Sequence, residues 1–327
     1  MENMEVITPV TEDVSPKTES APEKTLTPKS EKNPRKNDLR KTENIIGWVY
    51  ISPMVIGLLV FTAIPLVMSI MAIFYDWDGI HTLFESEFIG FKNLGYIFGG
   101  LYSKEYWQAF ANSIIYAIQL PIGMVLGMLL ALAMNRDMKG VQVFRVLYYL
   151  PGVMSVVAVS IVWNNLFKEG GFINSLIGTQ VSWLFEPKPF AFVVNIFLIW
   201  KGVGYTTLMF IAGLQSVSTD QIEAAKIDGA NSWIILIKIT LPALYPTIFY
   251  LFVTGLMGSL QMFNEPFLLA GGKGSDLGET AVGFVYTSYF SNNRAGLASA
   301  GAWVLALFIF VITAIQLYFD RKKQEAE

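Results

Sequence analysis

The chain contains 327 residues, of which 53% are hydrophobic and only 15% are charged. Soluble domains usually carry about a quarter charged residues, so the composition excludes an ordinary soluble protein and indicates one that spans a membrane. The absence of cysteine excludes disulfides and thiolate chemistry, and the single histidine excludes a histidine pair on a metal. A net charge of −3 gives no reason to expect nucleic acid as a partner.

Residues 1–44 are predicted to form a disordered tail. They hold 17 of the 49 Asp, Glu, Lys and Arg residues and five prolines, but no aromatic residue and no glycine. Such a segment has too little apolar surface to form a core. The other charges are spread thinly along the chain, so residues 45–320 are predicted to be the folded, membrane-embedded part.

Six stretches are long and apolar enough to cross a bilayer. A transmembrane helix needs about 20 mainly apolar residues, and a charge near its centre costs roughly 2.5–3.5 kcal/mol. The predicted spans lie at about 45–75, 107–135, 146–167, 190–217, 240–264 and 295–319. The predicted fold is therefore an all-α integral membrane protein with six transmembrane helices.

The distribution of Lys and Arg between the spans predicts the orientation in the membrane. The segments on the side of the tail carry 16 of these residues, and the segments on the opposite side carry 6. Both termini are therefore predicted to be cytoplasmic, with residues 321–327 forming a short cytoplasmic C-terminus.

The loop between the fourth and fifth spans carries the signals of two short helices. Asp220 and Glu223 have capping-box spacing, which predicts the start of the first helix. Gly229 suits the left-handed residue that ends it, and Asn231 or Ser232 can cap the second. These signals leave two interpretations open: a rigid cytoplasmic knob that contacts a partner, or an interfacial helix that only anchors the fifth span.

Residues 220–242 resemble the EAA loop of ABC-importer permeases, which has the form EAA, a glycine after three further residues, and then I-x-L-P. The residues that carry the resemblance are Glu223, Ala224, Ala225, Asp228, Gly229, Ala230, Leu241 and Pro242. Phe88-Ile-Gly-Phe-Lys-Asn93 is similar to the F-x-G-x-x-N-Y element of the carbohydrate-uptake branch, although Leu94 replaces the tyrosine.

The resemblance implies a type I ABC importer permease fold, a bacterial inner-membrane (plasma-membrane) location and uptake of a sugar or oligosaccharide. It implies as partners a second homologous permease, two cytoplasmic ABC ATPase subunits, and an extracytoplasmic solute-binding protein. In this family the EAA loop docks into a cleft of the ATPase. The sequence has no G-x-x-x-x-G-K-[ST] loop, so ATP and Mg²⁺ are expected on the partner ATPase and no cofactor, metal or catalytic residue is expected on this chain.

Polar groups inside two spans are candidates for a substrate pathway. Lys201 lies near the middle of the fourth span, where an ionisable side chain usually faces the bundle interior or a wet cavity. Gln261, Asn264 and Glu265 are predicted to share one face of the fifth span, at i, i+3 and i+4. The full set is Lys201, Gly202, Tyr205, Ser259, Gln261, Asn264 and Glu265. The resemblance implies sugar contacts at Gly202 and Tyr205.

The alternative roles for these polar groups are bonds between neighbouring helices and, for Lys201, a structural ion pair with Glu265. The alternative functions are an ABC-importer permease for a non-sugar solute and an ion-coupled secondary transporter. The latter usually needs carboxylates at the bilayer midplane, for which Glu265 is the only candidate. A membrane enzyme would need clustered acid, base or metal-binding residues, and none is evident.

Overall fold

The computed structural model describes residues 34–135, 140–272 and 278–325. Within these ranges the chain forms helices and turns, with one isolated antiparallel bridge between Tyr75 and Phe88. The all-α prediction is confirmed. Residues 1–33 of the predicted disordered tail lie outside the described residues.

The chain divides into two compact units, residues 1–59 and 60–327. The described part of the first unit is the helix Pro34–Leu58, which begins inside the segment 1–44 that was predicted to be disordered and so corrects that boundary. Pro34 suits the first helical position because its missing N–H would have no partner there. No glycine or further proline follows before Gly47, so nothing breaks the helix.

Four helical stretches and two bent pairs of helices are long and apolar enough to cross a membrane, when each pair is taken as one span. In chain order they are span 1 (Ile45–Ala72), span 2 (Ser103–Met134), span 3 (Gln142–Val153 with Val156–Ile177), span 4 (Pro187–Leu214), span 5 (Ser232–Ala243 with Tyr245–Leu260) and span 6 (Ala295–Lys323). Each of the six predicted spans has a counterpart. The helix of span 5, however, ends at Leu260 and not at residue 264.

Shorter elements join or interrupt the spans. They are a π turn at Leu59–Ala63 within span 1, the 3-10 turn Leu83–Glu85, and the helices Lys92–Phe98, Thr219–Ile227, Asn264–Leu269 and Ala281–Tyr286, the last followed by a π turn at Thr287–Ser291. Within span 3, the helix Val156–Phe167 is followed by Phe172–Ile177.

Prolines accompany both bends. The halves of span 5 meet at 62° around Leu244, which lies between Pro242 and Pro246. Proline has no N–H to donate, and its ring clashes with the preceding turn, so a straight helix is disfavoured there. Span 3 bends by 95° after the helix that contains Pro151.

Small residues let the spans approach one another closely. Spans 2 and 4 pack together, and a Cβ on Gly127 would lie 2.7 Å from Cγ2 of Thr206. A Cβ on Gly204 would lie 2.6 Å from the carbonyl oxygen of Tyr148 in span 3. A side chain would not fit at either glycine. Glycine at these positions therefore lets spans 2 and 3 contact span 4 within two turns of Lys201.

Candidate functional site

The first region that holds predicted site residues is the elbow, defined here as residues 218–242. Its first helix, Thr219–Ile227, begins at Ser218, whose hydroxyl accepts a hydrogen bond from the N–H of Gln221 at 3.4 Å. The prediction that Asp220 starts this helix is wrong, because the Ser-x-x-Gln spacing supplies the cap two residues earlier. Asp220 lies instead in the first turn, where a carboxylate is favourable next to the helix dipole.

Gly229 ends this helix in the left-handed conformation, with φ of +82°. The N–H of Ala230 donates to the carbonyl of Ala225 at 2.9 Å, and the N–H of Gly229 donates to the carbonyl of Lys226 at 3.1 Å. This pair of bonds is a Schellman motif, which satisfies carbonyls that the helix itself leaves free. The predicted glycine turn is confirmed, and backbone hydrogen bonds hold its shape.

Asn231 starts the second helix of the elbow. Its side-chain oxygen accepts a hydrogen bond from the N–H of Ile234 at 2.9 Å, which confirms one of the two predicted caps. The helix continues through a π turn at Leu236–Thr240 and ends at Ala243, just past Pro242. The elbow therefore leads directly into the bend of span 5.

One side of the elbow is anchored and the other is exposed. Ile222 and Ile239 pack against a buried cluster that includes Leu214 and Leu244. The exposed residues of the elbow include Glu223, Ala224, Ile227, Asp228, Gly229, Trp233 and Pro242, whereas Ala225, Ala230 and Leu241 are half-buried. The side chain of Ile227 is 86% exposed and that of Trp233 is 67% exposed. A rigid projection with acidic and large apolar groups on its outer side suits contact with a partner protein.

The second region is a cavity of about 390 Å³ beside span 4, called here the Lys201 cavity. It is lined by Gln119, Tyr149, Gly152, Leu198, Lys201, Gly202, Tyr205 and Glu265. Four of the seven predicted pathway residues therefore meet in one place. A Cβ on Gly202 would meet no heavy atom within 4 Å, so Gly202 leaves the cavity wall open.

Lys201 and Glu265 form an ion pair in the wall of this cavity. The Nζ atom of Lys201 lies 2.9 Å from Oε1 of Glu265, and each side chain is 20% exposed. Lys201 comes from the middle of span 4, and Glu265 comes from the first turn of the short helix Asn264–Leu269. The pair thus joins two elements that are distant in sequence, and it remains accessible from the cavity.

The prediction that Gln261, Asn264 and Glu265 share one helix face is wrong. The helix of span 5 ends at Leu260, and Phe263, with φ of −138° and ψ of −52°, precedes the start of the next helix. Gln261 and Asn264 are exposed and do not line the Lys201 cavity, whereas Glu265 does. The break in the helix is what turns Glu265 toward Lys201.

Sequence reasoning missed Gln119, Tyr149, Gly152 and Leu198 as cavity residues. Gln119 is an amide inside an otherwise apolar stretch of span 2, and that was the available signal. Its Nε2 donates to the hydroxyl of Ser259 at 3.2 Å. Ser259 was predicted to line the pathway, but it is buried and does not line the cavity. Its hydroxyl instead holds Gln119 beside the cavity.

An all-α bundle of candidate membrane spans with a polar cavity and a projecting elbow defines this chain as an integral membrane protein of the transport class. Residues 123–325 match the family described as "Binding-protein-dependent transport system inner membrane component". The chain belongs to this family, and it is a multi-pass inner-membrane component of such a transport system.

The sequence similarity to individual relatives covers most of the chain. It is 32% identical to the "Probable ABC transporter permease protein YesP" of Bacillus subtilis (strain 168), with 86% of this chain and 92% of that protein covered. It is 27% identical to the "Lactose transport system permease protein LacF" of Rhizobium radiobacter, with 88% and 98% covered.

A solved structure shares the fold. A chain of "a bacterial ABC transporter involved in the import of the acidic polysaccharide alginate" superposes with a TM-score of 0.75 at 22% identity, covering 89% of this chain and 99% of that chain. The predicted importer-permease fold is confirmed.

Proposed function

We propose that this chain is the permease subunit of an ATP-driven importer for a sugar or an oligosaccharide. It pairs with a second homologous permease and receives its solute from an extracytoplasmic binding protein. Two cytoplasmic ABC ATPase subunits bind ATP and Mg²⁺ and hydrolyse the nucleotide, so this chain is a non-catalytic partner. Its family and the lactose relative support the proposal.

The observation that carries the proposal is the exposed elbow. Glu223 and Asp228 offer carboxylates to a basic or amide partner, and the small Ala224 permits close approach. Backbone hydrogen bonds hold the turn at Gly229, so no flexible linker separates the first helix of the elbow from span 5. A movement of the elbow is therefore transmitted to span 5. In this proposal the ATPase subunits grip the elbow and move the bundle.

A contact at the end of span 6 supports the proposed orientation in the membrane. Nζ of Lys323, at the end of span 6, lies 3.2 Å from the ring centroid of Tyr245, which lies three residues after the elbow. The end of span 6 and the elbow therefore lie on one side of the bundle, and that side carries the excess of Lys and Arg. We assign it to the cytoplasm together with both termini.

The Lys201 cavity is proposed as part of the substrate pathway. Hydroxyl and amide groups beside an aromatic ring suit the polar and apolar faces of a saccharide. The same fold occurs in a transporter of an acidic polysaccharide, while a relative is named for lactose, a neutral sugar. The fold alone therefore does not decide which saccharides are accepted.

The test uses the full transporter, with its partner subunits and binding protein, in proteoliposomes. We expect uptake of a labelled saccharide to need ATP and to survive ionophores that collapse ion gradients. Uptake that follows an ion gradient without ATP would instead establish a secondary transporter. Uptake of an amino acid or an inorganic anion, with no saccharide accepted, would establish a non-sugar importer.

The absence of cysteine allows a sharp test of the elbow. The variant Ile227→Cys carries a single thiol on the exposed side of the elbow and should crosslink to the ATPase subunit. The control Glu85→Cys carries its thiol in an exposed loop assigned to the opposite side and should not. Equal crosslinking, or none from residue 227, contradicts the proposed docking.

A further inference from the structure

The charges in the wall of the Lys201 cavity sum to zero. Among the lining residues that the structure describes, only Lys201 and Glu265 carry formal charges, and these are opposite and 2.9 Å apart. The residues described as buried in the bundle are otherwise uncharged: the buried polar set consists of Asn, Ser and Thr. Lys201 and Glu265 are therefore the charges that a solute in this cavity meets.

The remaining polar groups of the cavity are neutral. Tyr149 and Tyr205 bring phenolic hydroxyls, and Gln119 brings an amide whose Nε2 is already bonded to Ser259. Gly202 leaves open space next to them. Hydroxyls and an amide oxygen exchange hydrogen bonds with the hydroxyls of a sugar, and they offer no compensating charge to an ion.

Among the described residues of the cavity wall, a carboxylate-bearing saccharide finds no free cation. To contact Lys201 directly it must displace Glu265, which leaves the carboxylate of Glu265 without its partner and close to the carboxylate of the ligand. Both effects are unfavourable where each side chain is only 20% exposed, because a partly buried charge loses its counter-charge and like charges repel. A neutral saccharide leaves the pair intact.

We infer that the Lys201–Glu265 pair makes the pathway electrically neutral and selects uncharged saccharides over those that carry carboxylates. This inference rests on the proposed function, since it concerns the charge of the saccharide that the cavity accepts. Glu265 acts as the specificity-determining residue, because it occupies the cation that an acidic sugar would otherwise use.

Three variants separate charge from shape. Glu265→Gln leaves Lys201 uncompensated, so the cavity gains a net positive charge and should accept carboxylates. Lys201→Gln leaves Glu265 uncompensated and should reject carboxylates more strongly than the wild type. The double variant Lys201→Gln with Glu265→Gln restores neutrality with two amides, and its selectivity should return to that of the wild type.

The measurement is saccharide binding to the full complex with its partner subunits in nanodiscs, without the binding protein, by saturation-transfer NMR at neutral pH. The probes are maltotriose, cellotriose and galactotriose, each compared with the C6-oxidised form that has carboxylates in place of primary alcohols. The wild type should favour a neutral probe over its oxidised form by at least about tenfold, which corresponds to about 1.4 kcal/mol. Glu265→Gln should abolish or reverse this ratio.

The outcomes separate this inference from the proposed function. If the wild type binds a neutral probe and its oxidised form equally, or if Glu265→Gln leaves the ratio unchanged while the complex stays assembled, charge selection is overturned but the pathway assignment stands. If no probe binds the wild type, the assignment of the cavity and the inference fall together. Should the single variants fail to assemble, an altered ratio in the double variant counts against the inference, because its cavity is as neutral as that of the wild type.

Discussion

The N–H of Ala230 donates a hydrogen bond to the carbonyl of Ala225 at 2.9 Å, across the left-handed Gly229. This bond reverses the chain directly after the first helix of the elbow and brings Asn231 into position to start the second. The EAA residues and the glycine that follows them thus belong to one backbone unit. The left-handed conformation of residue 229 therefore sets the angle between the two helices of the elbow.

Replacement of Gly229 by valine should uncouple transport without preventing membrane insertion. A Cβ at this position would meet no heavy atom within 4 Å, so the penalty comes from the backbone and not from a clash. A β-branched residue in the left-handed region costs about 1–2 kcal/mol, which is enough to shift the turn. Uptake should fall at least about tenfold, with normal amounts of protein in the membrane.

The matched control is Gly229→Asn, because asparagine adopts the left-handed conformation more readily than other residues with a side chain. It should retain most of the uptake. If Val and Asn impair uptake equally, the turn conformation is not the cause, and if neither impairs it, the elbow does not transmit the ATPase movement.

The glycine turn illustrates what could be predicted from sequence. Gly229 and Asn231 act through local backbone chemistry, and the spans follow from long stretches without charge, so both were accessible. The break at Phe263 also has a local signal, because Pro266 has no N–H to donate to the carbonyl of Met262 and disfavours a continuous helix there. The predicted face shared by Gln261 and Glu265 ignored this signal and was wrong. The place of Gln119 in the cavity depends on how span 2 packs against its neighbours, which no local pattern encodes.

Alanine at Gly204 should reduce stability, whereas alanine at Gly202 should reduce transport and leave stability unchanged. At Gly204 the new methyl would lie 2.6 Å from the carbonyl of Tyr148, so spans 3 and 4 must separate, at a cost of about 1–3 kcal/mol. At Gly202 the methyl enters open space in the Lys201 cavity, so stability should not change while saccharide uptake falls. Thermal unfolding of the purified complex and saccharide uptake are measured for both variants. A Gly204→Ala variant that unfolds at the wild-type temperature would contradict the close packing at Gly204.

Asn93 should be important for the stability of the loop that follows span 1. Its buried amide donates to the carbonyl oxygens of Ile73 at 2.9 Å and Tyr75 at 3.0 Å. Replacement by alanine leaves both carbonyls without this donor, which should cost about 1–3 kcal/mol. The exposed Asn165 is the control, because its side chain bonds only to nearby groups, the carbonyl of Ile161 and the exposed Nζ of Lys168. Its alanine variant should unfold at the wild-type temperature. An unchanged unfolding temperature for Asn93→Ala would show that water replaces the lost donor.

The turn at Asp78 should persist into strong acid. Hydrogen bonds from the N–H groups of Ile80 and His81, together with the His81 ring, lower the pKa of Asp78 from 3.8 to about 2. Since the folded pKa lies below the ordinary value, the carboxylate stabilises the turn above pH 3.8, and this contribution is lost as the pH falls through about 2. NMR titration of ¹³C-labelled Asp carboxyls, with Asp78→Asn to assign the signal, measures the midpoint.

The two backbone bonds contribute most to this shift, so His81→Ala provides a separate test. In that variant the pKa of Asp78 should stay well below 3.8, because the N–H groups of residues 80 and 81 still donate to its carboxylate. A return to 3.8 would assign the shift to the imidazole ring instead.

Two isoleucines of the elbow should separate attachment to the bundle from contact with the ATPase. Ile222 packs against the buried cluster around Leu214 and Leu244, whereas Ile227 is 86% exposed. Ile222→Ala removes apolar contacts that fix the elbow to the bundle, at a cost of about 2 kcal/mol. The ATPase should still copurify with this variant, but saccharide-stimulated ATP hydrolysis should fall, because the elbow moves without moving the spans.

Ile227→Ala removes a protruding contact, so it should weaken copurification while the unfolding temperature of the permease stays unchanged. Loss of ATPase binding in Ile222→Ala, with full binding in Ile227→Ala, would place the docking surface on the opposite side of the elbow from the one inferred here.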